Sequence, residues 1–83
     1  MPIVQVYPNI VDRDISLLFE NWIETNVQID LIDPLGKSIS NWQIDVPQSD
    51  MHKQLSLPNL TPGLYLIKIK TKHNDWNFKI QKQ

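Results

Sequence analysis

The chain has 83 residues, a formal net charge of −1, a hydrophobic content of 41% and no cysteine. This length and composition predict one globular domain, residues 1–83, and exclude a disulfide framework, a thiolate zinc site and a cysteine nucleophile. A domain of this size has little room for an enclosed substrate pocket, so we expect a non-catalytic protein without a cofactor.

Alternating apolar and polar residues predict strands along most of the chain, with turn residues between them. The predicted strands are residues 4–7, 14–20, 25–33, 37–46, 51–57, 64–72 and 76–83. The connection over residues 21–26 is expected to place Trp22 and Ile23 over an open end of the core. About seven strands without an amphipathic helix predict an all-β fold, an immunoglobulin-like antiparallel β-sandwich.

Two turns are specified by their residues. Asp33-Pro34-Leu35-Gly36 carries the preferred residues of a type I turn and predicts a hairpin. Thr61-Pro62-Gly63-Leu64 predicts a type II turn, because proline presets the second position and glycine adopts positive φ readily at the third. Tyr65 follows directly and opens the next strand. A further break is expected at residues 47–50.

The candidates for catalysis or metal binding are few. His52 and His73 are the only histidines, and neither has a second ligand at a diagnostic spacing. Ser49 and Asp50 share one loop with His52, whereas the members of a hydrolytic triad act from separate elements around an oxyanion hole. We therefore predict no metal site and no catalytic site.

Tryptophan and lysine residues raise two further binding hypotheses. Trp42 and Trp76 fall in register with core positions, which leaves Trp22 as the candidate for stacking against a sugar. Lysines 68, 70, 72 and 79 predict a basic stripe, but without aromatic residues or arginines beside it the stripe favours a solvated face over nucleic-acid binding. No apolar run is long enough to span a membrane, and we predict no direct membrane insertion.

Four segments of the chain together resemble the C-terminal sorting domain of type IX secretion cargo proteins. They are Tyr7-Pro8-Asn9, Ile29 to Lys37, Leu57 to Ile69, and Lys79-Ile80-Gln81-Lys82. The resemblance covers nearly the whole chain, and the four motifs occur in the family's order and spacing. Ile10 and Ile32 depart from the family pattern, which often has proline and tyrosine there, and Gln83 extends past its usual end.

The resemblance implies a non-catalytic export signal at the end of a larger exported protein of the Bacteroidota. Translocon components recognise such a domain in the periplasm and carry its cargo across the outer membrane to the cell surface, where a sortase-like peptidase usually removes the domain. No signal peptide begins this sequence, so an exported protein would contain it as a fragment.

The resemblance also assigns sorting-signal residues, and the strand pattern says how they are presented. The motif residues are Gly36, Lys37, Gly63, Tyr65, Lys79, Ile80 and Lys82. We expect the last strand at or near a sheet edge, where Lys79, Gln81 and Gln83 face outward and backbone pairing is open to a partner. The same edge would also support an edge-to-edge dimer.

The alternative function is a fibronectin-type or carbohydrate-associated sandwich that acts as a spacer or binding module in a cell-surface protein. Tyr65 would then form a tyrosine corner, in which its hydroxyl pins the turn to the strand. Residues after Gln83 in the native gene would favour the spacer, whereas glycan binding lost on Trp22→Ala would favour the sugar-binding module.

Overall fold

The computed structural model describes residues 3–22, 26–46 and 51–83, and within them it contains strands and no helix. The strands are β1 (Ile3–Tyr7), β2 (Ile10–Val11), β3 (Asp14–Glu20), β4 (Asn26–Ile32), β5 (Ser38–Asp45), β6 (Met51–Ser56), β7 (Gly63–Lys70) and β8 (Asp75–Lys82). The predicted all-β fold is confirmed. No helix in these ranges is long and apolar enough to cross a membrane.

The strands form two sheets packed as an immunoglobulin-like sandwich. One sheet has three strands in the order β1-β3-β6, and the other has five in the order β2-β8-β7-β4-β5. Every neighbouring pair is antiparallel except β2 and β8, which run parallel. The connection from β6 to β7 therefore crosses from the first sheet to the second, as in sandwiches of this class.

The first segment of the chain contributes to both sheets. Strand β1 pairs with β3 along its whole length, and after Pro8 and Asn9 the chain pairs with β8 through Ile10 and Val11. The prediction of about seven strands did not include β2. A strand of two residues has no measurable alternation, and its partner lies about 70 residues away, so neither pattern nor local context indicates it.

The core lies between the inner faces of the two sheets. Tyr65, Ile67 and Ile69 of β7 face inward, as predicted, and Ile15, Leu17 and Phe19 of β3 belong to the same buried cluster. Val27, Ile29 and Leu31 of β4 and Ile80 of β8 complete the inner face of the five-stranded sheet. Each such side chain contributes about 1.5–3 kcal/mol by leaving water.

Trp22 is part of this core. It is 1% exposed, and its ring lies edge-on to Phe19 at 4.8 Å and tilted against Trp76 at 5.2 Å. The prediction that it covers an open end of the core is confirmed, whereas its candidacy as a sugar-stacking platform is wrong, because no ligand can reach a ring buried by two aromatic neighbours. Ile23 and the expected break at residues 47–50, with Ser49 and Asp50, lie outside the described residues.

Candidate functional site

The hairpin between β4 and β5 places Gly36 and Lys37. The Gly36 amide donates to the Asp33 carbonyl at 2.9 Å, which closes the predicted type I turn, and the Asp33 amide donates to the Lys37 carbonyl at 2.9 Å. The Asp33 carboxylate accepts from the amides of Leu35 and Lys37 at 3.0 and 2.8 Å. Gly36 has φ +87°, so the turn continues into a glycine bulge.

The corner between β6 and β7 places Gly63 and Tyr65. The Tyr65 hydroxyl donates to the Thr61 carbonyl at 2.7 Å and lies 3.2 Å from the Thr61 hydroxyl, which is the geometry of a tyrosine corner. The predicted type II turn is wrong, because Gly63 has φ +154° rather than the approximately +80° of that turn. In a type II turn the Thr61 carbonyl would accept a hydrogen bond from the Leu64 amide. Here it accepts one from the Tyr65 hydroxyl.

The last strand presents its three motif residues in three different ways. Ile80 is buried and pairs in register with Tyr65, so it belongs to the core. Lys79 is exposed on the outer face of the sheet. The Lys82 side chain is only 16% exposed, and its Nζ lies 4.0 Å from the carboxylate of Asp12 and donates to the Gln83 carbonyl at 2.8 Å.

A shallow depression on the outer face of the five-stranded sheet brings three of the motif residues together. Its volume is about 420 Å³, and it is lined by Ile32, Asp33, Pro34, Gly36, Leu64, Tyr65, Leu66 and Lys79. Strand register explains the convergence, because Ile32, Leu66 and Lys79 occupy one row across β4, β7 and β8. Lys37, Gly63, Ile80 and Lys82 do not line it.

Exposed apolar side chains lie in the depression and elsewhere on the same end of the sheet. Leu64 is 60% exposed, Ile10 is 50% exposed, and both are in register with Gln81, one on each side of β8. Leu35, at the tip of the hairpin, is 93% exposed. We did not identify these residues from the sequence as site residues. The sequence did contain one indication of this surface. Leu64 and Leu66 occupy outward positions of a strand whose later outward positions are lysines.

Lys79 is the positive charge of the depression. Among the described residues it has no ion pair, and the Asp33 carboxylate, which accepts from two turn amides, lines the same depression. Lys68, two rows from Leu64, has Asp30 as its cross-strand neighbour, so the basic stripe predicted along β7 is partly balanced. The depression therefore combines an exposed lysine with neighbouring apolar side chains.

The two histidines lie apart. The His52 ring stacks on Tyr7 with 6.2 Å between centroids, and His73 is exposed in the turn between β7 and β8, which is closed by hydrogen bonds between Thr71 and Asn74. In the part of the chain that the structure describes, no three His, Asp or Glu side chains are grouped to hold a metal ion.

The structure is therefore an immunoglobulin-like sandwich whose five-stranded sheet carries a shallow, partly apolar depression lined by Lys79 and Asp33. The chain belongs to the secretion system C-terminal sorting domain family, whose model matches residues 5–83. The family supports a secretion sorting signal, is generally non-catalytic, and implies interaction with a secretion system and export by the outer-membrane route. No curated protein and no solved structure matches the chain.

Proposed function

We propose that this chain is the C-terminal domain of a larger exported protein and directs that cargo through the type IX secretion system to the cell surface. Translocon components bind the folded domain in the periplasm, and a sortase-like peptidase then separates it from the cargo. Family membership supports the sorting function, and the arrangement of the motif residues supports recognition through the surface rather than through an enclosed pocket.

The observation that carries this proposal is the convergence of Gly36, Tyr65 and Lys79 on one depression. The three residues come from a hairpin, from the start of β7 and from the second half of β8, and only the paired sheet brings them together. An unfolded chain does not present this surface. Recognition by the translocon is therefore recognition of the folded domain.

The motif residues divide into those that build the surface and those that contact a partner. The Tyr65 hydroxyl holds the corner, and Ile80 packs below it in the core. Lys79 is exposed at the depression and, within the described ranges, makes no ion pair that would hold the fold together. We therefore assign the direct contact to Lys79 and a supporting function to Tyr65 and Ile80.

The experiment is export of a reporter cargo fused ahead of the chain, in a cell that carries a type IX secretion system. The double variant Lys79→Ala, Lys82→Ala should lower the cargo at the cell surface by at least about tenfold and leave it in the periplasm, because losing one well-placed charge contact has about this effect on affinity. The matched control is Lys68→Ala, Lys70→Ala on the same sheet, which should export normally.

Two other results bear on the same proposal. Export of the Lys79→Ala, Lys82→Ala cargo at normal levels would contradict it. Deletion of residues 79–83 should also stop export, but this deletion removes Ile80 from the core, so it tests folding and recognition together.

Cleavage of the domain from its cargo is tested separately. Mass spectrometry of the cargo recovered from the cell surface should show a C-terminus that lies before residue 1 of this chain. Cargo that retains the whole chain would contradict cleavage while leaving the sorting function in place.

The tyrosine corner favours a second candidate function, a spacer within a cell-surface protein, because this device occurs in sandwich domains that only connect others. A spacer would be found within the mature surface protein, and its substitution at Lys79 would leave export unchanged. The sugar-binding form of this alternative is excluded for Trp22, whose ring is buried.

A further inference from the structure

Strand β8 has a partner along only part of its outer edge. Strand β2 pairs with Gln81 and Lys82, and the pairing includes backbone hydrogen bonds from the Gln81 amide to the Asn9 carbonyl at 2.7 Å and from the Gln83 amide to the Val11 carbonyl at 3.1 Å. On this side of β8, no described strand pairs with residues 75–80. We call this stretch the open edge.

The backbone groups of the open edge follow from the alternation of the strand. The amides of Gln81 and Gln83 point toward β2, so the N–H and C=O groups of the alternate residues Asn77 and Lys79 point the same way, away from β7. A row of such groups without a strand opposite is a template for another extended segment.

The side chains beside the open edge define which segment fits. Asn77 and Lys79 are exposed on the outer face, and Trp76 and Phe78 are half-buried on the inner face, packed against the core. The side chains of a strand that pairs here would also alternate between the outer and the inner face of the sheet. Its outward residue beside Lys79 is best acidic, and the inward residue beside Phe78 is best apolar.

The opposite edge of the same sheet lacks this combination. Strand β5 is also unpaired on its outer side among the described strands, but residues 38–45 contain no lysine or arginine to select an acidic partner. None of residues 38–45 lines the depression that Lys79 shares with Leu64 and Leu66. Charge complementarity therefore distinguishes the open edge of β8 from that of β5.

We propose that a protein of the secretion machinery adds an extended segment to the open edge of β8, with a carboxylate side chain against Lys79 and an apolar side chain beside Phe78. Backbone pairing with Asn77 and Lys79 supplies the contact area, and the lysine supplies selectivity. The identity of the partner rests on the proposed function, whereas the binding preference of the edge is a property of this chain.

The competing interpretation is that Lys79 only prevents edge-to-edge pairing, as lysines on exposed edges commonly do. Reversing the charge at residue 79 distinguishes edge protection from selection of an acidic partner. A glutamate protects an edge as well as a lysine does, so Lys79→Glu should change nothing if protection is the whole function. If Lys79 selects an acidic strand, Lys79→Glu should reverse the preference.

The test is a titration of the ¹⁵N-labelled chain with two peptides, acetyl-Thr-Val-Glu-Val-Thr-amide and acetyl-Thr-Val-Lys-Val-Thr-amide, followed by NMR. The acidic peptide should shift the amide signals of Asn77 and Lys79 and bind about tenfold more tightly than the basic one, the expected effect of one favourable charge pair. The Lys79→Glu chain should prefer the basic peptide by a similar factor. The amide signals of β5 should not move.

A second variant tests the backbone pairing separately. Asn77→Pro removes an N–H that faces the open edge and no bond to β7, so the strand should persist while peptide binding falls at least about fivefold. Asn77→Ala, which keeps the N–H, should bind as the original chain does. Equal binding of both peptides, or unshifted Asn77 and Lys79 signals, would overturn the proposal, and the export assay would still decide the sorting function.

Discussion

The two faces of the five-stranded sheet differ sharply although they are built from the same strands. On β7 and β8 the inward residues Tyr65 and Ile80 are buried, whereas their neighbours Leu64, Lys79 and Gln81 are exposed. Successive residues of a strand point to opposite faces, so residues with opposite surroundings are adjacent in the sequence. A sequence motif along such a strand therefore contains both core residues needed for folding and exposed residues available to a partner.

The terminal motif Lys79-Ile80-Gln81-Lys82 shows this most clearly. One residue is in the core, two point outward, and Lys82 contacts Asp12 and the Gln83 carbonyl. Loss of export after a change in this motif does not by itself identify which face was needed. Stability measured beside export separates the two, and the following substitutions are ordered by the size of the effect on stability.

The largest effect is expected for the inner face at Ile80. Ile80→Ala should lower the free energy of unfolding by about 2–4 kcal/mol, because it removes a buried side chain that packs beside Tyr65 and leaves a cavity. Gln81→Ala, one residue further and exposed, should change it by less than about 0.5 kcal/mol. Denaturant unfolding checks both, and equal effects would contradict the assignment of the two faces.

A smaller effect is expected at the corner. Tyr65→Phe keeps the ring and removes the hydroxyl that donates to the Thr61 carbonyl, so the free energy of unfolding should fall by about 1–1.5 kcal/mol. The matched control is Tyr7→Phe at the half-exposed Tyr7, whose change should stay within about 0.5 kcal/mol. The same unfolding measurement applies, and a silent Tyr65→Phe would show that the corner does not depend on this bond.

The smallest of the three effects is expected at the hairpin. Gly36→Ala places a side chain at φ +87° with nothing within 4 Å of the new Cβ, so its effect of about 1 kcal/mol comes from backbone strain alone. Gly36→Asn should be milder, since asparagine tolerates this region better. If thermal unfolding finds both variants as stable as the original, the conformation of the turn is not what selects glycine.

Much of the fold could be predicted because it depends on local patterns. The alternation of Ile15, Leu17 and Phe19, and of Tyr65, Ile67 and Ile69, identified strands whose inner faces are buried. The hairpin followed from the residues at 33–36, of which Asp33 accepts the turn amides and Gly36 takes positive φ. The sequence did not indicate β2 or the burial of Trp22 against Trp76, which depend on contacts between distant segments, and the type II turn predicted over residues 61–64 was wrong.

The candidate site could be predicted only in part. The resemblance named Gly36, Tyr65 and Lys79, but their convergence on one depression depends on the register of three strands, which no single segment specifies. The same register places Ile10 and Leu64 on either side of Gln81. An exposed apolar residue on a strand looks ordinary in the sequence until its cross-strand neighbours are known.

The two-residue strand β2 limits how far another strand can pair along the edge of β8. To extend its pairing beyond Lys79, an incoming strand must break the backbone hydrogen bonds of β2, among them those to the Asn9 and Val11 carbonyls, each worth about 1 kcal/mol net, and uncover the buried Val11 side chain. A short or poorly matched segment therefore stops at Lys79. Only a partner that replaces these bonds and covers the same apolar surface can pair beyond that residue.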